Sequence, residues 1–567
     1  MARIRKVEIE NFRSIKKFQW FPSNGLNCLI GAGDSGKSTI LDAIDWCLGA
    51  RRNLAVSDAD FYRLDINTPI QITLILGHLD DALLNLDSYS LYLRGFDTDN
   101  NIVEDEPKEG FETVLMLRLQ VEKDFEPQWS LISERAKAQE KSRNLSWSDR
   151  ARLAPLRMGG NAQSGFSWGK GSVLSRLTEE QPSAFEAVVE AVRNARTSLK
   201  PDQSLNDILI DIKKVADDLG VPVGSEVQAL LDTIAIPLRG GAISLHDEYG
   251  IPLRALGTGS SRLLESGLQR QLGENASVVL VDELEYGLEP HRVIRLIDSL
   301  GAKDSKQPIQ GFFATHSAVA LREFGGDQLY VLRETDGNHE ALNVGKGDAA
   351  QGSIRTAPEA FLGKSVIICE GATEIGFLRG LDQFWQEQGN YVSMAAQGIV
   401  LVDAKGGGPN SPHKKAEVFQ CLGYRTAILR DNDLTIDEAA EEKYINKGGV
   451  LFTWCTGHNI EEALFSSLTS EAIVQLVRYA IEIHGEEKII SNFPDESKNQ
   501  LLLNGVQNIK DIRHQLALAS SKGSGGWFKT IRHMEVVAKD IIGPNLSSAS
   551  PDFQSKIEAI KTWISGE

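Results

Sequence analysis

The sequence predicts an α/β protein with two consecutive α/β domains, and three observations support this prediction. A glycine-rich loop, Gly31–Thr39, lies between an apolar run and a helical pattern. Much later in the chain, another apolar run ends in Asp282 and Glu283. A new alternation of apolar runs and helical patterns begins near Lys364 and has acidic residues where its strands end. Alternation of this kind favours parallel sheets that are covered by helices.

Composition limits the class of protein. The 567-residue chain is too long for one hydrophobic core, and its 41% apolar and 24% charged residues are typical of a soluble protein. Neither a signal peptide nor a bilayer-spanning apolar run is recognisable, and the five cysteines form no Cys-x-x-Cys pair. We therefore expect a cytoplasmic protein with no membrane contact. The net charge of -18 argues against a basic DNA-coating surface, but not against a nuclease site that approaches phosphate through metal ions.

The glycine-rich loop has the residue order of a phosphate-binding P-loop. Its glycines are expected to let the backbone turn so that N–H groups face a phosphate; they are Gly31, Gly33 and Gly36. The helix N-terminus that follows adds partial positive charge. Lys37 is expected to reach the terminal phosphates, and Ser38, next to Thr39, is expected to ligate Mg²⁺. An ordinary strand-to-helix turn would not need both Lys37 and Ser38, so the sequence predicts ATP binding.

Three later features fit the same nucleotide. A glycine-rich loop precedes a helix predicted to begin near Leu263, and it contains Gly257, Gly259 and Ser260. Asp282, after a buried strand, would hold Mg²⁺, and Glu283 would orient the attacking water. His316 ends another apolar strand and is expected to contact the γ-phosphate. Between the P-loop and these features, residues from about 135 to 170 are predicted to form a polar connection with little periodicity.

This order of motifs resembles the ABC-type head of chromosome-maintenance and RecF-like ATPases, and Ile9–Phe18 resembles the opening of their sequences. The resemblance implies that the loop around Gly259 contacts the nucleotide of a second subunit, so that the protein is at least a homodimer. It makes Gln71 a candidate Mg²⁺ sensor, although an outward-facing strand residue would look the same. Arg13 is either a nucleotide contact or a surface arginine. Helical patterns within about 170–235 suggest an inserted arm, for example for dimerisation, or helices packed on the core.

The second domain has acidic residues at the ends of two predicted strands, namely Glu370 and the pair Asp431 and Asp433. The carboxyl ends of neighbouring parallel strands meet at one sheet edge, so these side chains are expected to lie together. Like charges at close range repel one another unless a cation lies between them, which favours a divalent metal site. The alternative is that these acids are solvated helix caps.

The pattern formed by Glu370, Asp431 and Asp433 closely resembles the Toprim domain of topoisomerases, primases and some nucleases. An ABC-type head at 1–345 followed by Toprim at 346–567 is the layout of the overcoming-lysogenization-defect (OLD) family of ATP-dependent nucleases, including Gabija-type and retron-associated members. The resemblance implies Mg²⁺ or Mn²⁺ bound by Glu370, Glu374, Asp431, Asp433 and Glu461. It also implies a catalytic lysine near the end of the chain, with Lys529 as first choice and Lys522 as second.

The resulting prediction is a nucleotide-regulated, metal-dependent DNA endonuclease that acts in anti-phage defence. Its predicted partners are DNA, a second copy of the chain, and either a helicase-like protein or a retron reverse transcriptase with its RNA–DNA. Two alternatives stay open: a DNA-binding RecF-like ATPase without nuclease activity, and a topoisomerase, for which no tyrosine has a recognisable context. The sequence also departs from the ATPase class, with Gly33 where many members have Asn and no proline after Glu283.

Overall fold

The structure is a computed structural model, and part of the chain lies outside the residues that it describes. Those residues are 2–51, 54–158, 210, 245–246, 248–249, 253–272, 278–304, 309–389, 391–405, 408, 410–434, 436–492, 509–521 and 526–566. The predicted helical insertion of about 170–235, apart from residue 210, and Lys522 therefore lie outside the described residues.

Two compact units alternate along the sequence. The first unit comprises residues 1–13, 21–27 and 38–314, and the second comprises 14–20, 28–37 and 315–567. The boundary predicted from the sequence, between an ATPase domain that ends at residue 345 and a nuclease domain that begins at residue 346, stays a prediction.

The described strands, in chain order, are β1 (Arg3–Phe12), β2 (Ile15–Trp20), β3 (Leu26–Ile30), β4 (Ile70–Gly77), β5 (Leu93–Asp97), β6 (Ile102–Glu104), β7 (Glu112–Val121), β8 (Pro127–Leu131), β9 (Leu156–Met158), β10 (Val278–Val281), β11 (Gln310–Ala314), β12 (Leu329–Thr335), β13 (Asn338–Asn343), β14 (Ser365–Cys369), β15 (Ile399–Asp403), β16 (Arg425–Arg430) and β17 (Val450–Thr453).

The described α-helices are α1 (Lys37–Leu48), α2 (Leu86–Tyr89), α3 (Glu134–Ala138), α4 (Trp147–Leu153), α5 (Thr258–Leu272), α6 (Pro290–Ser299), α7 (Ala318–Glu323), α8 (Asp348–Thr356), α9 (Ala372–Gln388), α10 (Ser411–Cys421), α11 (Glu438–Asn446), α12 (Ile460–Ser467), α13 (Ser470–His484), α14 (Glu486–Ser491), α15 (Ile509–Ser521), α16 (Ile531–Val536), α17 (Gly543–Asn545) and α18 (Pro551–Ser565). Val537–Ile542 is π-helical. Among the helices that the structure describes, none combines the length and apolar composition of a membrane span.

In the first unit, one set of strands is antiparallel and another is parallel. The antiparallel strands lie in the order β6-β5-β7-β4-β1, with β8 also pairing with β7. Gln71 on β4 lies opposite Glu10 on β1. The parallel set is β11-β10-β9, in which Leu280 pairs with Phe312 on one side and Arg157 on the other. All residues of β10 and β11 are buried, which explains their continuous apolar runs.

The connection predicted between about 135 and 170 is more ordered than its polar sequence indicates. Its described part contains α3, α4 and β9. The sequence shows little periodicity here because three-residue strands and one- to two-turn helices are too short to produce a clear hydrophobic period.

The second unit contains two groups of parallel strands. β3 contributes residues 28–30, which pair in parallel with β12, and β12 continues antiparallel into β13. A separate four-stranded sheet has the order β15-β14-β16-β17, and all of its neighbouring pairs are parallel. Its core includes Phe377, Leu381 and Leu464, which are fully buried. The parallel arrangement places the carboxyl ends of all four strands at one edge.

Candidate functional site

The P-loop follows β3 and leads directly into α1. Gly31 and Gly36 have positive φ angles of 135° and 89°. A Cβ atom at Gly36 would also lie 3.0 Å from Nε2 of His339, so this position requires glycine on two grounds. Gly33 has no positive φ, and a Cβ atom there would meet nothing within 4 Å. The backbone therefore requires glycine at position 36 but not at position 33.

Lys37 is the first residue of α1 and is buried, with 4% of its surface exposed. Its Nζ donates to the carbonyl oxygens of Gly31, at 3.3 Å, and Ala32, at 2.7 Å, and to Oγ of Ser35 at 3.1 Å. The ammonium group thus lies within the loop that a phosphate would occupy. A bound phosphate oxygen would replace these neutral acceptors with a charged one.

Ser38 and Asp282 lie in hydrogen-bonding contact. Oγ of Ser38 donates to Oδ1 of Asp282 at 3.1 Å, and the backbone N–H of Glu283 donates to the same oxygen at 3.1 Å. The two side chains predicted to ligate Mg²⁺ are therefore adjacent, although they are 244 positions apart in the sequence. Glu283 itself is exposed and has a φ angle of 45°, a backbone strain that is typical of functional turns.

Arg262 on α5 is a residue that the sequence reasoning missed. It is only 2% exposed, and its guanidinium donates to the backbone oxygens of residues that follow β10, at distances from 2.8 to 3.5 Å: Asp282, Glu283, Leu284 and Tyr286. This clamp fixes the backbone that carries Asp282 and Glu283. A buried arginine with only carbonyl acceptors leaves no local sequence signal, so the pattern of the chain could not reveal it.

The loop that contains Gly257 does lead into a helix, but α5 begins at Thr258 and not near Leu263. The N–H of Ser261 already bonds to the carbonyl of Gly257 at 3.0 Å, which closes the first turn early. Gly259 and Ser260 consequently lie in the first turn, and Oγ of Ser260 accepts from Arg292 at 3.3 Å. His316 is exposed in the segment between β11 and α7.

Arg157 on β9 is the second missed residue of this region. Its guanidinium lies 2.5 Å from Oδ1 of Asp42, 3.4 Å from Oδ2 of Asp45 and 3.9 Å from Oδ2 of Asp282. Arg13 also pairs with Asp42 and with Asp60. The structure thus favours a structural ion-pair role for Arg13.

The edge of the four-stranded sheet brings the predicted acids together. Glu370 follows β14 and Asp431 follows β16, and these strands are neighbours. The N–H of Asp431 donates to Oε2 of Glu370 at 2.9 Å, so the backbone links the two strand ends. The N–H of Ile460, at the start of α12, donates to Oδ1 of Asp431 at 2.9 Å. Helix N-termini attract negative charge, which helps to hold Asp431 in place.

Two further carboxylates lie in the first turns of helices. Glu374 is the third residue of α9, and its Oε2 accepts from the N–H of Gly371 at 2.8 Å. Glu461 is the second residue of α12, where Asn459 forms the N-cap. Glu374 and Glu461 are each 3% exposed. Burial of charged groups at this level is unfavourable unless they are protonated or compensated by a cation.

The carboxylates raise one another's pKa values. Burial and then the charges of Glu374, Glu370, Glu461 and Asp433 raise the pKa of Asp431 to about 9. Burial, followed by the charges of Glu370 and Glu461, raises the pKa of Glu374 to about 7. The pKa values of Glu370 and Glu461 are also raised, chiefly by burial and additionally by Asp433. All five predicted acids therefore belong to one electrostatically coupled cluster.

A family model described as AAA domain, putative AbiEii toxin, type IV TA system matches residues 26–322, which is more than half of the chain. The chain belongs to this AAA domain family. The prediction of an α/β protein with a P-loop ATPase domain is confirmed. The assignment of the four-stranded sheet to a Toprim domain stays a prediction.

Curated relatives differ greatly in how much of each chain the similarity covers. The OLD nuclease of Thermus scotoductus is 24% identical over 474 residues, which cover 78% of this chain and 84% of that protein. The DNA replication and repair protein RecF of Chlorobium phaeovibrioides is 33% identical over 58 residues, and RecF of Nitrosococcus oceani is 43% identical over 53 residues. These short matches span only 16% and 14% of the two RecF proteins.

Solved structures with detectable likeness include an Smc head bound to the C-winged helix domain of ScpA and the SMC head domain from Thermotoga maritima. The chain is 16% and 15% identical to them, with TM-scores of 0.31 and 0.27. Each likeness covers 60% of this chain and 97% or 99% of the other. These low TM-scores support no functional comparison.

The carboxylate cluster lies outside residues 26–322, which match the AAA domain family, and its side chains are of the kind that bind metal ions. Among the described residues, no group of three or more His, Cys, Asp or Glu side chains is already arranged for ligation. Backbone N–H groups occupy one oxygen each of Glu370, Glu374 and Asp431. Oε1 of Glu461 is buried without a hydrogen-bond partner in the described part of the chain. This buried oxygen and the mutual repulsion of the acids fit a divalent cation.

Lys529 is the one described lysine of the two proposed for catalysis. It is exposed, and its positive charge lowers the pKa of Glu461, which opposes the effect of burial. Lys529 follows a turn in which the N–H of Trp527 donates to the carbonyl of Ser520 at 2.9 Å. A Cβ atom at Gly526 would lie 2.6 Å from that carbonyl, so the turn requires glycine there.

Proposed function

We propose that this protein is a nucleotide-regulated, divalent-metal-dependent DNA endonuclease that hydrolyses phosphodiester bonds at the carboxylate cluster. The observation that carries the proposal is the cluster of acids at one sheet edge, in which Glu374 and Glu461 are buried and the pKa of Asp431 is raised to about 9. Such a cluster is unfavourable in a purely structural role, because each ionised group repels the others. Similarity to an OLD nuclease over 78% of the chain supports the same reading.

Mg²⁺ or Mn²⁺ would be held by Glu370, Glu374, Asp431, Asp433 and Glu461, and it would supply an activated water and neutralise phosphate charge. The protein's own residues prepare the site. Backbone N–H groups from Gly371, Asp431 and Ile460 orient three of the carboxylates. Lys529 supplies a positive charge near Glu461 that would attract the scissile phosphate and oppose its developing negative charge.

The AAA domain would regulate this cleavage. Lys37 and the P-loop N–H groups would bind the phosphates of ATP, Ser38 and Asp282 would hold its Mg²⁺, and Glu283 would orient water. We further propose Gln71 and His316 as Mg²⁺ and γ-phosphate contacts. The loop with Gly257, Gly259 and Ser260 would contact the nucleotide of a second copy, so a homodimer is part of the proposal. The helicase-like or retron partner and the role in anti-phage defence stay predictions.

Plasmid nicking in Mg²⁺ or Mn²⁺, with and without ATP, tests the proposal. We expect Glu370→Ala to abolish nicking and to leave ATP affinity unchanged, because Glu370 belongs to the carboxylate cluster. We expect Lys37→Ala to abolish ATP affinity and any effect of ATP on nicking. Glu442→Ala, at an exposed position on α11, is the control and should nick at the wild-type rate. Nicking by Glu370→Ala at the wild-type rate would show the assignment to be wrong.

A DNA-binding ATPase without nuclease activity is the second candidate, and the short RecF matches favour it. That candidate gives no role to the clustered acids at the sheet edge, whose pKa values are raised. It predicts DNA binding with no metal-dependent nicking, so the same assay distinguishes the two. A topoisomerase would leave a covalent protein–DNA adduct when the reaction is stopped with denaturant.

A further inference from the structure

A cavity of about 130 Å³ lies between α10 and α11, on a different part of the second unit from the carboxylate cluster. A single water molecule requires only about 10–15 Å³ measured in this way, so the cavity has room for a larger group. His413 and Tyr444 form part of its wall, with their rings in T-shaped contact at 5.8 Å. Tyr444 is already satisfied, because its hydroxyl bonds to Thr426 at 3.2 Å.

His413 has unused hydrogen-bonding capacity. Its side chain is 5% exposed, and neither ring nitrogen has a hydrogen-bond partner among the residues that the structure describes. Its Nε2 lies 3.8 Å from Oε2 of Glu441, which is too long for a hydrogen bond. A buried polar group without a partner is costly. Both ring nitrogens are themselves buried, so a rotation of the imidazole toward the adjoining cavity would let a ligand there supply the missing partner.

The charges around the cavity favour an anion over a cation. Three lysines line it, namely Lys414, Lys443 and Lys447, against the two acids Glu417 and Asp437. Glu417 is paired with Lys443 at 2.6 Å and with Lys447 at 3.8 Å. Asp437 caps α11 by accepting from the N–H of Ala439 at 3.1 Å. The acids are thus engaged locally, whereas the side chain of Lys414 makes no hydrogen bond or ion pair within the described residues. A net positive lining is notable in a chain of net charge -18.

We propose that this cavity is a binding site for a phosphate group, with His413 donating one hydrogen bond and the lysines supplying charge-assisted hydrogen bonds. Phosphate has several acceptor oxygens and few non-hydrogen atoms, so it suits a small cavity with donors on several sides. The group can arrive as free phosphate or as the phosphate of a mononucleotide. Neither the binding nor its test depends on the proposed nuclease activity.

A short chain of contacts connects this cavity to the carboxylate cluster. Glu441, on α11 beside His413, accepts from Arg430 at 2.8 Å. Arg430 also donates to the backbone oxygen of Asp431 at 2.7 Å. Because Arg430 is 5% exposed and both contacts are fixed, a shift of Glu441 would be transmitted to Asp431. An effect of bound phosphate on nicking is therefore expected, and this second part rests on the proposed function.

Isothermal titration calorimetry on the full chain tests the site, with inorganic phosphate and deoxyadenosine monophosphate as the two ligands. The Lys37→Ala background and EDTA remove phosphate binding at the P-loop and through metal ions. We expect a dissociation constant on the order of 1 mM, as suits a ligand of five non-hydrogen atoms. Equal affinities would indicate a free-phosphate site, and tighter binding of the mononucleotide would indicate a nucleotide site.

Two substitutions remove the proposed donors. His413→Phe and Lys443→Ala should each weaken binding by roughly tenfold, the usual effect of losing a charge-assisted or buried hydrogen bond. The controls His514→Phe and Lys488→Ala alter exposed residues of the same types on α15 and α14 and should bind normally. Lys443 is exposed, so that variant stays informative if His413→Phe fails to fold. No binding, or unchanged binding in Lys443→Ala, would overturn the site. Binding without any effect on wild-type nicking would overturn only the connection to Asp431.

Discussion

Replacing Glu374 by Gln tests whether the carboxylate cluster destabilises the protein when no divalent ion is present. Gln keeps the shape of the side chain and an oxygen that can accept from the N–H of Gly371, but it removes one negative charge. Burial and the neighbouring acids raise the pKa of Glu374 from 4.5 to about 7 in the folded protein. The folded state therefore binds this proton more tightly than the unfolded state does.

The sign and size of the effect follow from proton linkage. Because the folded pKa is raised, the stabilisation is fully present below pH 4.5 and is lost as the pH rises through about 7. Each pKa unit corresponds to about 1.4 kcal/mol, so the loss for Glu374 amounts to roughly 3 kcal/mol. We expect Glu374→Gln to recover an amount of this order at pH 8.5 and to change stability little at pH 5.

Urea unfolding in EDTA at several pH values measures this difference as the free energy of unfolding. Glu471→Gln is the matched control, because Glu471 also lies in the first turn of a helix but is exposed. Mg²⁺ should stabilise the wild type at pH 8.5 more than it stabilises Glu374→Gln. If Glu374→Gln is less stable than the wild type at pH 8.5 in EDTA, the assumed repulsion does not exist.

Four further substitutions at three sites have expected outcomes. Gly36→Ala should weaken ATP binding by at least tenfold, because the φ angle at position 36 is 89° and a Cβ atom there would meet His339. Gly33→Ala is the control and should bind ATP normally, as measured by titration with a fluorescent nucleotide. Arg262→Ala should lower the free energy of unfolding by about 3 kcal/mol, since it removes a buried guanidinium and leaves partly buried carbonyls without a donor. A change below 1 kcal/mol would refute the clamp. Lys529→Ala should reduce nicking without altering the free energy of unfolding, and equal loss of both would refute a role in catalysis.

Motifs whose residues are close in sequence could be predicted well. The P-loop, β3 and α1 follow from a fixed spacing of glycines, a lysine and a serine, because the chemistry requires that order locally. The alternation of apolar runs and helical patterns that begins near Lys364 corresponds to the parallel strands of the four-stranded sheet, since such a strand is a short continuous apolar run. Glu370 and Asp431 were also expected to meet, because acids at the ends of parallel strands share one sheet edge.

The residues that sequence reasoning missed act through contacts between distant parts of the chain. Arg262 binds backbone carbonyls about twenty positions away, and Arg157 reaches Asp42 across more than a hundred positions. Backbone acceptors have no identity in the sequence, so no pattern could indicate the partners of Arg262. Arg157 lies in a three-residue strand, which is too short to be recognised by periodicity.

The two acidic sites of the chain differ in how their charge is balanced, and this difference bears on how each would respond to a cation. Asp282 already accepts from Ser38 and lies 3.9 Å from the guanidinium of Arg157, so a positive side chain partly offsets its charge. The acids around Asp431 have mainly backbone N–H groups as partners, and the pKa of Asp431 itself is raised to about 9. Partial charges of N–H groups orient carboxylates but do not neutralise several of them. A divalent ion would therefore change the protonation of the Asp431 cluster, and its binding there should release protons, which calorimetry in buffers of different ionisation enthalpy would detect.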